Sequence, residues 1–149
     1  MRPILVPVDF SAVTDSAVEI AAAWARLSGA EVVLLHVAAP DPAFVGYETG
    51  PDTVREHVAA EMRSEHRELQ RRAENLRERG LSAHAISIQG ATVETILERA
   101  DKIDAELIVL GSHGHGALYR ALVGSVSEGV IRASRRPVLL VPARPEDGG

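Results

Sequence analysis

Apolar residues fall in short dense runs separated by longer amphipathic stretches. The first run, Ile4 to Val8, has a proline inside it. Continuous apolarity over so few residues predicts a strand buried on both faces. Asp9-Phe10-Ser11 breaks the run. From Thr14 to Ser28, Ala17, Ile20, Ala21, Trp24 and Leu27 recur at helical spacing, with Gly29 as the stop. The spacing predicts a helix with Trp24 packed under it. Glu31 to Val37 (EVVLLHV) is a second buried-type strand, and His36 within it is expected to be a hydrogen-bonded core residue.

Residues 38 to 52 hold three prolines, two glycines and no periodicity, which predicts a surface loop. A long helix follows over Asp52 to Arg79. Val54, Val58, Met62, Leu69, Ala73 and Leu76 mark its apolar face, and Arg and Glu in i,i+4 relation mark a solvated one. Leu81 to Ile88 reads as a third strand. Val93, Ile96, Leu97 and Ala100 give a helical stripe over Thr92 to Ala100. Glu106 to Leu110 is a fourth strand, Gly111 to Gly124 a glycine-rich loop, Ser125 to Ser134 a helix and Val138 to Val141 a fifth strand. Strands and helices alternate throughout, so the fold class is α/β: a single open parallel sheet with helices on both faces. No repeat or interdomain linker interrupts it. One domain is expected over residues 1–144, with 145–149 as a frayed tail.

Composition narrows the class. At 149 residues the chain fits one domain, and with aromatics at 3% its core must be built from Ala, Val, Ile and Leu, as suits βα layers. The net charge of -5 argues against general nucleic-acid binding, which needs a basic surface. Arg132, Arg135 and Arg136 form a local basic cluster, read as solvated surface. The absence of cysteine excludes disulfides, thiolate metal sites and cysteine nucleophiles. Asp9 comes too early for a secretory h-region, and no apolar run approaches the ~20 residues of a membrane span. A cytoplasmic protein, off the membrane, is expected.

The glycine loop carries the candidate chemistry. Gly111-Ser112-His113-Gly114 begins at the C-terminal end of a buried strand, where open α/β sheets place ligands. Glycines let backbone amides approach an anion without a Cβ in the way. Nine residues after Gly114, Gly124-Ser125 precedes a helix, whose N-terminus offers free amides and a positive dipole end to a phosphate. The loop is neither a Walker A loop nor a dinucleotide fingerprint. Such loops also serve as plain tight turns, and spacing alone leaves both readings open. His113 and His115 flank one glycine, and no Cys, Asp or Glu stands in the loop to complete a metal set.

The pattern Gly111-x-x-Gly114, nine residues, then Gly124-Ser125 resembles the G-2x-G-9x-G-(S/T) motif of the ATP-binding universal stress proteins. The blocks ILVPVDFS, VVLLHV, LIVLGSHG, GSVSEGVIRAS and RPVLLVP resemble that family's blocks in order, over nearly the whole chain. The resemblance implies a five-stranded sheet in the order 3-2-1-4-5, the Rossmann-like adenine nucleotide alpha hydrolase-like fold, with a crevice between Asp9 and Gly111. It implies that Asp9 sits by adenine or ribose with Pro7, Val8, Phe10 and Ser11 around it, and that Val37 contacts adenine. Gly111, His113 and Gly114 would line the ribose and phosphate path, and Gly124, Ser125, Val126 and Ser127 would hold the phosphates. ATP is the first ligand expected, AMP or cyclic AMP the alternatives, with Mg²⁺ entering only with the nucleotide. The family often carries a cation near the position of His113.

The resemblance also implies a homodimer through Val138, Leu139, Leu140 and Val141, an apolar strand at the sheet edge. No catalytic residue is assigned. There is no nucleophile elbow, and the sole lysine, Lys102, precedes the fourth strand rather than following it. The expectation is a stress-response sensor that binds adenine nucleotide with at most slow hydrolysis. The alternatives are a nucleotide-free dimerising adaptor of the same fold and an ATP-using enzyme.

Overall fold

A computed structural model describes residues 2–38, 52–112 and 124–142, with side chains from residue 56 onward in the second stretch. The elements are β1 (Ile4–Pro7), α1 (Thr14–Ser28), β2 (Val32–Ala38), α2 (Asp52–Glu78), β3 (Ala83–Gln89), α3 (Thr92–Lys102), β4 (Leu107–Gly111), α4 (Ser125–Ala133) and β5 (Val138–Val141). All four strand pairings are parallel, and the order is β3-β2-β1-β4-β5. The alternating classes and the strand order are those expected.

Alternation along each central strand feeds two separate cores. Ile4 and Val6 of β1, Val32 and Leu34 of β2 and Val109 of β4 pack under α1 and α2. Their neighbours Leu5, Val33, Leu35, Ile108 and Leu110 pack under α3 and α4, against Ile96, Ala100 and Val130. A strand covered on both sides has no polar face to alternate with, which is why these runs are continuously apolar. β1 ends one residue earlier than expected, at Pro7, although the Val8 amide still donates to the Leu35 carbonyl at 2.7 Å. β3 begins later, at Ala83, after a turn in which Leu81 donates back to the Leu76 carbonyl.

Two expectations about burial are corrected. Trp24 is not packed under α1: it is 51% exposed, and Leu27 is 89% exposed. The buried stripe keeps Ala17 and Ala21 of the expected set and adds Val18, Ala22 and Ala25, mostly small residues that let the helix lie close to the sheet. α1 does end at Gly29 as expected, in the left-handed conformation (φ 76°) with its amide on the Ala25 carbonyl. Arg136 is also not simply solvated. Its guanidinium donates to Asp101 (3.1 Å), Asp104 (2.9 Å) and the Ala105 carbonyl (2.7 Å), tying the end of α3 to the approach to β5.

In α2 the C-terminal half supplies the apolar contact. Leu69, Ala73 and Leu76 are fully buried, whereas Val58 and Met62 are only half-buried, and the side chain of Val54 lies outside the described residues. Arg72 and Arg79 reach across to Asp15 and Glu19 of α1, so the two helices on this face are latched by charge at their outer edges.

Candidate functional site

β1 is followed by a helix on one face of the sheet and β4 by a helix on the other, so the chain departs in opposite directions from two adjacent strands. A cleft of about 340 Å³ opens there, at the C-terminal ends of the strands. Its floor is Pro7 and Val8 from β1 and its end, Leu35 and Val37 from β2, and Leu110 and Gly111 from β4. Open α/β sheets place their ligands at such a switch point.

Asp9 stands on one wall. Its Oδ1 accepts from the Ser11 amide (3.0 Å) and the Thr14 hydroxyl (3.3 Å). Burial pushes the carboxyl up, but hydrogen bonds from Ser11 and Thr14 together outweigh it and hold the group below its ordinary value. Asp9 is therefore an oriented anion at neutral pH, able to accept hydrogen bonds from hydroxyl or amine donors in the cleft.

The turn that presents Asp9 is strained at Phe10, which has φ 60°. A left-handed aromatic residue costs on the order of 1–2 kcal/mol. The conformation turns the Phe10 ring away from the cleft and onto the core under α1, with its centroid 4.8 Å from that of His36. Phe10 and the buried Ser11, both expected around the ligand, do not line the cleft. They shape the turn that carries Asp9.

The opposite wall is the N-terminus of α4. Gly124 is the N-cap, extended (φ -61°, ψ 156°), with no side chain capping the helix. The amides of Ser125, Val126 and Ser127 open the helix and have no acceptor within it, which leaves them and the positive end of the dipole toward the cleft. The Ser127 hydroxyl is turned to the backbone rather than to the cleft. It is buried, and it donates to the carbonyls of Gly111 (2.9 Å) and Ser112 (3.2 Å). The Gly124 amide adds a bond to the Ser112 carbonyl at 3.1 Å. Together these contacts brace the start of α4 against the end of β4, so only the Ser127 amide is left for an anion. His113 and Gly114, expected on the ribose and phosphate path, lie outside the described residues.

Several lining residues escaped sequence reasoning. Val13, Thr14 and Ala17 come from the first turns of α1, Thr92 and Ile96 from α3, and His36 from β2. The signal for most of them was position: each belongs to the first turns of a helix that follows a strand, and those turns rim the cleft. His36 was read as a core histidine. It is indeed hydrogen-bonded, through Nδ1 to the Val8 carbonyl at 2.9 Å, but it also forms part of the cleft wall and pairs through Nε2 with Glu65 of α2 at 2.6 Å.

Among the described residues no group of three or more His, Asp or Glu side chains is placed to hold a metal ion. Among them, too, no helix is long and apolar enough to cross a membrane.

Residues 1–142 match the model of the universal stress protein family. The chain belongs to that family. Universal stress protein YxiE of Bacillus subtilis is 33% identical over 143 residues, covering 93% of this chain and 97% of that protein. Universal stress protein MJ0577 of Methanocaldococcus jannaschii is 30% identical over 153 residues, covering 94% of each. The solved structure of MJ0577 superposes with a TM-score of 0.79 over 97% of both chains. A universal stress protein solved in complex with cyclic AMP is 25% identical, with a TM-score of 0.67 over 96% of this chain and 98% of that one. The five-stranded order and the surrounding helices are those of the universal stress proteins.

Proposed function

We propose that this universal stress protein binds an adenine nucleotide in the cleft between β1 and β4 and serves as a stress-response regulator rather than a catalyst. The observation that carries the reading is the pairing of two opposed walls: the Asp9 carboxylate on one side and the free amides opening α4 on the other. A nucleoside phosphate has the complementary halves. Its ribose hydroxyls donate to a carboxylate, and its phosphates accept from backbone amides. The apolar floor of Val8, Leu35, Val37 and Leu110 suits the faces of a purine. The cyclic AMP complex of a relative supports adenylate as the ligand class.

ATP is the first choice, with AMP and cyclic AMP as competitors, because Gly111-x-x-Gly114, nine residues, then Gly124-Ser125 resembles the motif of the ATP-binding members of the family. Mg²⁺ would arrive bound to those phosphates, and Asp9 is the carboxylate on the cleft wall nearest to such a role. Regulation is preferred to turnover because no lysine or arginine lines the described cleft to stabilise charge on a departing phosphate. We further propose a homodimer through β5. That strand is at the sheet edge and reads Val138-Leu139-Leu140-Val141, with no charge to discourage pairing.

Calorimetric titration of nucleotide-stripped protein with ATP, AMP and cyclic AMP tests the reading, followed by product analysis. Saturable binding of at least one, with the ligand recovered intact, supports a regulator. Rapid product formation supports an enzyme. No binding by any of the three supports the nucleotide-free adaptor.

A further inference from the structure

The imidazole of His36 lies between two oxygen acceptors on different elements. Nδ1 is 2.9 Å from the Val8 carbonyl, which cannot donate, so Nδ1 carries a hydrogen. Nε2 is 2.6 Å from a carboxylate oxygen of Glu65. Neutral imidazole has one N–H and has spent it on Val8. A nitrogen lone pair and a carboxylate oxygen repel at that distance unless a proton lies between them. A proton between Nε2 and the carboxylate would make that contact a charge-assisted hydrogen bond.

Among the described residues this contact ties α2 to the cleft wall. On α2, Leu69, Ala73 and Leu76 seal the apolar core, and going toward the N-terminus the contacts change character. Glu65 meets His36, exposed His66 meets Ser87 of β3 at 3.1 Å, and Met62 meets Gln89 of β3 at 3.9 Å. Only the first of these three reaches a residue that lines the cleft. Among the described residues Asp9, on the turn after β1, is the other charged group lining the cleft, and the Phe10 ring stands 4.8 Å from the imidazole, tilted by 54°.

We propose that His36 and Glu65 form a one-proton clasp that positions the base end of the nucleotide cleft and makes α2 the element that registers whether the cleft is filled. His36 is a positioning residue here. Through Val8 it fixes the start of the turn that presents Asp9, and through Glu65 it fixes α2. Ligand binding that orders the turn thus orders the N-terminal half of α2, and loosening α2 weakens the ligand by the same factor. The coupling rests on the nucleotide-binding reading, whereas the extra proton does not.

Glu65→Ala and Glu65→Gln separate the clasp from simple packing. Alanine removes the contact, while glutamine can donate its amide to an unprotonated Nε2 and restore the link without the extra proton. Glu65→Ala is expected to weaken ATP about tenfold, the scale of one lost charge-assisted hydrogen bond, and Glu65→Gln to recover most of it. His36→Gln combined with Glu65→Ala should cost no more than His36→Gln alone. In hydrogen exchange, ATP should protect amides of residues 62–69 in the wild type and not in Glu65→Ala. Equal affinity of Glu65→Ala and wild type, or equal protection of 62–69 in both, overturns the coupling. If the wild type binds no adenine nucleotide, the functional reading fails, and the clasp is still decided by ¹⁵N spectra of His36 near neutral pH. Both ring nitrogens protonated in the wild type, with Nε2 losing its proton in Glu65→Gln, upholds it. An Nε2 without a proton in the wild type overturns it.

Discussion

Gly111 and Val13 approach so closely that a Cβ on Gly111 would overlap the Val13 side chain. The last residue of β4 and the residue before α1 meet here across the two sides of the cleft. The need for glycine is thus steric as well as a matter of access for a ligand. Gly111→Ala is expected to destabilise the fold by about 1–3 kcal/mol, as overpacking does, because Val13 is 3% exposed and has little room to move. Thermal or urea unfolding checks it, and Val13→Ala in the same chain should return part of the loss.

Ser127 offers a second measure of the cleft's construction. Its hydroxyl bridges the Gly111 and Ser112 carbonyls while its amide opens α4. Ser127→Ala leaves the amide in place and removes the brace. The expected result is a stability loss of about 1 kcal/mol, since the Gly111 carbonyl loses this donor while the Ser112 carbonyl keeps the Gly124 amide, with nucleotide affinity falling because α4 is less firmly placed. Gly124→Val should instead lower affinity with a smaller change in unfolding midpoint, since Gly124 is already in an extended conformation that valine adopts.

Asp9 sets a pH signature. Despite burial, its folded-state carboxyl is held below its ordinary value by the hydrogen bonds from Ser11 and Thr14. Its contribution is therefore present above the ordinary aspartate range and is lost as pH falls through the folded-state value. The difference in stability between wild type and Asp9→Asn should be constant above about pH 4 and shrink in stronger acid. Denaturant titrations from pH 7 down to pH 3 measure it, and a difference that grows on acidification contradicts the assignment.

Helix packing gives the clearest contrast between large residues. Leu69 is fully buried beneath α2, and Leu69→Ala should cost about 2–5 kcal/mol. Trp24→Ala, despite the larger truncation, should stay within about 0.5 kcal/mol of the wild type because half of that side chain is in solvent. Parallel unfolding curves of the two variants decide it.

The same contrast shows what one-dimensional pattern carries. The strands were legible because a strand buried on both faces leaves an unbroken apolar run, as ILV and VVLL do in β1 and β2. α1 was legible as a helix, yet its inner face was not. Ile20, Trp24 and Leu27 share one helical stripe, and Ala17, Ala21 and Ala25 lie beside it. Size favours the first stripe, and close approach to the sheet favours the second. The family resemblance located the cleft by making the first and fourth strands neighbours, while the residues themselves showed only that Asp9 breaks the first apolar run and Gly111 opens the glycine loop. The partners that shape its walls were not legible in that way: Glu65 is far in sequence from His36, and the carbonyls held by Ser127 belong to a different element.

The neighbours of β1 also have a consequence for synthesis. Its β2 partner follows within a few tens of residues, whereas Leu107 and Ile108 of β4 pair with Ile4 and Leu5 across a span of about a hundred. As the polypeptide leaves the ribosome, the three-stranded half with α1 and α2 can consolidate while the other edge of β1 waits. The crevice acquires its second wall only when α4 has emerged, so a prematurely released product would lack the helix N-terminus that faces Asp9 across it.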